Sequence, residues 1–117
     1  MKLSELAETL EATFISGEDQ EDISFDKVGA SDLMSDILAA LSEHGILLTG
    51  LATVQVVNTA VIAGVRAIVF VRNKQPSPGV IEVGREHDMP MLTTPYSMFV
   101  SCGRLYATGL TGLNGAR

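Results

Sequence analysis

The side chains best suited to chemistry are spread along the chain. Ser31, Thr49-Gly50, Arg72-Asn73-Lys74 and Thr93-Thr94 each follow a short, largely apolar run. Together they offer hydroxyls, an amide and two cations. Such a set can hold an anion, because hydroxyls, ammonium and guanidinium groups donate to phosphate or carboxylate oxygens. Small hydroxylated residues and glycine also belong at strand-to-helix turns, for capping and backbone reasons alone. Both readings stand at this level. Gly50 is not part of a phosphate loop, since neither GxGxxG nor GxxxxGK[ST] occurs.

No catalytic set is visible. His44 and His87 fall at the ends of expected helices, where a cation complements the dipole. They do not form a zinc-type pair. Asp32 and Asp36 share a helix face at i, i+4 with no identifiable third ligand, and read as a cap and an exposed acid. Cys102 is the single cysteine, so one chain can form neither an internal disulfide nor a four-thiolate cluster. No GxSxG frames a serine. The acidic run Glu18, Asp19, Glu21, Asp22 and Asp26 lacks the spacing and central glycine of a calcium loop. The chain therefore reads as no enzyme, with no catalytic residue, no metal and no cofactor.

Composition narrows the partners. Eight basic against 14 acidic residues give a net charge of −6, which opposes a nucleic-acid partner because that affinity is largely phosphate neutralisation. At 46% apolar and 5% aromatic residues, the core must be built from Leu, Val, Ile and Ala. The amino-terminal MKLSELAETL reads as an amphipathic helix and not a signal peptide. The longest apolar runs fall short of the roughly 18 residues of a membrane span. A cytoplasmic chain, away from the membrane, is expected.

The periodicities position these groups. Leu3, Leu6, Ala7 and Leu10 mark a helix from Leu3 to about Glu11. Strands are expected at 12–16 and, by alternation of Ile23 and Phe25, at 23–28. A helix over 32–43 leads to a strand at 46–49. A helix over 53–63, ended by Gly64, leads to a strand at 67–71. A helix over 79–87, weakened by two glycines, leads to a strand at 91–93 and a last helix over 96–107. Gly103 inside that helix points to close packing, as at a dimer seam. Residues 1–110 form one domain and 111–117 a flexible tail. The alternation predicts a three-layer α/β fold, with a mainly parallel or mixed sheet of about five strands flanked by helices. In such sheets ligands collect beyond the carboxyl ends of the strands, where the residues named above should converge.

Several spaced blocks carry a family resemblance: Val28–Asp36, Leu47–Gly50, Val69–Pro76, Pro90–Thr94, then Phe99 with Cys102–Tyr106. In order and spacing they resemble the DRTGG domain family, and Leu3–Gly17 is similar to its lead-in helix and strand. The resemblance implies a fold like the amino-terminal domains of HPr kinase and of the MurE and MurF ligases. It implies a regulatory domain, found beside CBS pairs in pyrophosphatases, often dimeric, and in stand-alone form near iron hydrogenases. After Thr49-Gly50 the chain continues Leu51-Ala52, not Gly-Asp-Arg as in the family's naming motif. Two functions follow as expectations. One is a non-catalytic sensor binding a nucleotide or other anionic metabolite at the carboxyl edge. The other is a module that forms a homodimer or docks on a larger enzyme, such as a hydrogenase system, without a small ligand.

Overall fold

A computed structural model describes residues 1–39 and 44–112. The elements run α1 (Leu3–Thr9), β1 (Thr13–Ser16), a 3-10 turn (Glu18–Gln20), β2 (Lys27–Ala30), α2 (Met34–Ala39), β3 (Ile46–Thr49), α3 (Val54–Ala63), β4 (Ala67–Phe70), α4 (Pro78–Glu86), β5 (Met91–Thr93), α5 (Met98–Tyr106) and β6 (Thr111–Gly112). The six strands lie in the order β1-β5-β4-β3-β2-β6. All neighbours are parallel except β1 and β5, which run antiparallel at one edge.

Period-two alternation divides the core into two layers. Ile46, Leu48, Val69 and Leu92 face one side and pack with Leu3, Leu6 and Leu10 of α1 and Leu105 of α5. Leu47, Ile68, Phe70 and Met91 face the other and pack with Ile37 of α2, Val56, Val57, Ala60 and Ala63 of α3, and Val80 of α4. Strands β3 and β4 are buried throughout, as strands covered on both faces must be. Full burial of each such side chain contributes about 1.5–3 kcal/mol.

Local signals explain several boundaries. The Thr53 hydroxyl accepts from the Val56 amide to cap α3, and Gly64 closes it with φ of 78°. Ser97 caps α5 by accepting from the Val100 amide. The second strand lies later than its alternation implied. Ile23 and Phe25 are apolar because they pack against α1, and the Phe25 amide donates to the Met1 carbonyl. Ser24 makes only an isolated bridge with Lys2, and the ladder proper begins at Lys27. The expected helix over 32–43 begins at Met34, and its part over 40–43 lies outside the described residues. Thr111 and Gly112 pair with β2 as a sixth strand, while 113–117 lie outside the described residues. Among the described residues, no helix is long and apolar enough to cross a membrane.

Candidate functional site: the carboxyl rim

Parallel register brings the strand ends level. Ala30 pairs with Leu48, Thr49 with Phe70, and Phe70 with Thr93. The segments after β2, β3, β4 and β5 therefore meet along one edge. Ser31, Thr49, Gly50, Arg72, Asn73, Lys74, Thr93 and Thr94 all stand on that rim.

The rim's threonines serve the fold. Thr49 is fully buried; its hydroxyl donates to Asp32 Oδ1 at 3.1 Å and accepts from the Leu51 amide at 3.2 Å. The Thr93 hydroxyl donates to the Lys74 carbonyl at 2.9 Å. The Thr94 hydroxyl donates to the Leu10 carbonyl at 2.7 Å and accepts from the Tyr96 amide at 3.3 Å. These bonds tie the loops after β4 and β5 to each other and to the end of α1. Ser31 closes a local turn by accepting from the Leu33 amide at 3.0 Å.

The loop after β4 is held differently. Arg72 and Asn73 both adopt the left-handed region, with φ of 56° and 57°. Their amides donate to the Tyr96 and Thr94 carbonyls at 2.8 and 2.7 Å. Each such non-glycine residue costs on the order of 1–3 kcal/mol, so the surrounding bonds must hold the conformation. Arg72, Asn73 and Lys74 are exposed. The Arg72 guanidinium reaches back over Gly50: a Cβ added there would lie 3.6 Å from Nη2.

Asp32 belongs to this site, although its sequence position suggested only a helix cap. Its Oδ1 accepts from the Gly50 amide at 2.6 Å as well as from the Thr49 hydroxyl. The rim thus brings one carboxylate and one guanidinium to the Gly50 turn. Its signal in the sequence was an acid two residues past the end of a parallel strand, the place where side chains face the neighbouring strand's turn. Asp36 lies a turn further along α2 and is exposed.

The remaining candidates lie elsewhere. The His44 ring accepts from Arg66 Nε at 3.1 Å, and His87 caps the end of α4. Among the described residues no group of three His, Cys, Asp or Glu is arranged to hold a metal ion. Cys102 is partly buried against the α1–α5 core, and burial pushes its thiol pKa up.

A family model for the DRTGG domain matches residues 5–107. No curated protein matches the chain in sequence. Among solved structures, the chain is similar to the CBS and DRTGG domains of the regulatory region of Clostridium perfringens pyrophosphatase, crystallised with the activator diadenosine tetraphosphate. The TM-score is 0.72 at 20% identity, covering 93% of this chain and 47% of that one. The chain thus spans about half the length of that regulatory region, and the likeness is one of fold.

Proposed function

This chain belongs to the DRTGG domain family, and from that premise we propose that it is a non-catalytic regulatory module sensing an anionic metabolite, with a nucleotide as the first class to test. One observation carries the reading. Two consecutive bulky residues, Arg72 and Asn73, occupy a conformation that glycine would adopt without strain. Glycine there would keep the turn and lose the side chains. Arg72 and Lys74 are the cations that hold the ligand's phosphate. Ser31 and Asn73 supply the adjoining polar contacts, Gly50 leaves room beside the Arg72 guanidinium, and Thr49, Thr93 and Thr94 fix the loops that carry them. The pyrophosphatase regulatory region, which also contains CBS domains, takes a nucleotide activator, and that supports the choice of class. The setting is cytoplasmic, without nucleic-acid or membrane partners.

Calorimetric titration with a panel of mono- and dinucleotides tests this. Binding should weaken at least tenfold in Arg72→Ala and further with Lys74→Ala, with the melting temperature little changed. Equal affinity in the double variant, or no heat from any nucleotide or other anionic metabolite, removes the proposal.

A second reading also has an observation behind it. Phe99 of α5 is 87% exposed, which fits an interaction module that forms a homodimer or docks on a larger enzyme.

A further inference from the structure

Two opposite charges face the Gly50 turn without pairing. A Cβ placed on Gly50 would lie 3.4 Å from both Asp32 carboxylate oxygens and 3.6 Å from Arg72 Nη2, yet the two side chains stand too far apart for an ion pair. Those distances are ordinary van der Waals contact, so the turn has room for a methyl group that glycine does not supply. Gly50 lies outside the left-handed region, so its φ does not call for glycine. Asp32 and Arg72 are both exposed, and the gap between them opens to solvent.

The carboxylate is fixed in place. Its Oδ1 accepts from the Gly50 amide at 2.6 Å and the Thr49 hydroxyl at 3.1 Å, so Asp32 cannot swing away from a ligand without giving up both bonds. Its Oδ2 has no hydrogen-bond or ion-pair partner among the described residues. A bare phosphate drawn to Arg72 therefore meets a fixed like charge, on a chain whose net charge is already −6. A neutral donor such as a ribose hydroxyl can bond to Oδ2 but leaves that repulsion standing. A divalent cation removes it. Magnesium suits the place, because it is characteristically held by one or two carboxylates, several waters and the phosphates of a nucleotide. Such an ion arrives with its nucleotide and needs no three-ligand cage in the protein, and none is found among the described residues.

We propose that the rim binds its nucleotide as the magnesium complex, with the ion between Asp32 Oδ2 and the phosphates and with Arg72 on a phosphate oxygen beside Gly50. The inference rests on the rim reading above and adds the charge state of the ligand. It selects nucleotides with two or more linked phosphates, which chelate the ion, over monophosphates and over anions that hold magnesium poorly.

Calorimetric titration of the full chain with the di- and triphosphates of adenosine and guanosine, once in magnesium chloride and once in EDTA, tests it. The wild type should bind the magnesium form at least tenfold more tightly. Asp32→Asn keeps a side-chain oxygen for the Thr49 and Gly50 bonds and loses the charge. It should bind the nucleotide alike in both media. Gly50→Ala should melt as the wild type does, because the methyl group meets only ordinary contacts, and should bind the magnesium form at least tenfold more weakly, because that group takes the ligand's space. Equal binding in magnesium and EDTA overturns the inference and leaves the rim reading standing. A magnesium preference that survives in Asp32→Asn, or a Gly50→Ala variant that binds as the wild type does, overturns it as well. No binding of any of the four in either medium also overturns it, and the rim reading is then decided by the wider panel of anions.

Discussion

Asp32 and Arg72 approach Gly50 from opposite partners of the rim. A Cβ placed on that glycine would lie 3.4 Å from both Asp32 carboxylate oxygens and 3.6 Å from Arg72 Nη2. The carboxylate comes from the segment after β2 and the guanidinium from the loop after β4, so opposite charges converge beside the turn after β3 without a direct ion pair within 4.0 Å. Asp32 holds that turn through Oδ1 alone. Asp32→Ala should therefore lower stability by about 1–3 kcal/mol, because the buried Thr49 hydroxyl and Gly50 amide lose a charged acceptor. Urea unfolding checks this: the midpoint should fall with an unchanged slope.

Arg72 is where fold and function should separate. Arg72→Gly relieves a left-handed side chain but loosens the unfolded chain, two effects of about 1 kcal/mol each and of opposite sign. The melting temperature should stay within a few degrees of wild type while the nucleotide-induced thermal shift disappears. A retained shift would show that the guanidinium does not touch the ligand.

The two glycines of α4 should behave oppositely. A Cβ on Gly79 would find only the Ser77 hydroxyl, at 4.0 Å, so Gly79→Ala gains most of its helix propensity, up to about 1 kcal/mol. A Cβ on Gly84 would press on the thioether end of Met91, 2.9 Å from its sulfur, and Met91 is fully buried. Overpacking of this kind costs about 1–3 kcal/mol, so Gly84→Ala should be net destabilising. Thermal melts of the two variants should move in opposite directions.

Cys102 supplies a pH prediction. Burial raises its thiol pKa in the folded chain, so the folded thiol keeps its proton at pH values where the unfolded one ionises. The unfolded state then binds fewer protons, and this group's contribution to stability falls as pH rises through the alkaline thiol range. Alkylation by iodoacetamide near pH 8 should be slower in buffer than in denaturant. Equal rates would mean that the thiol feels no burial.

What the chain legislates on its own is local. Continuous apolar runs placed β3 and β5 at Ile46–Thr49 and Met91–Thr93, and Thr53 and Gly64 bracketed α3, because burial on both faces and helix capping act within a few residues. Connectivity then fixed which loops share an edge, since a helix between successive strands carries the chain back to the same end of the sheet and lets neighbours run parallel. Alternation alone misled at Ile23 and Phe25: it reports that a side chain is buried and not what its backbone pairs with.

Only the tertiary structure decided where the rim's hydrogen bonds go. The Thr94 hydroxyl is spent on a carbonyl 84 residues away, and Asp32 turns from its own helix to the next strand's turn. Such partners are chosen by distance in space once the layers have packed, and no spacing along the chain encodes them.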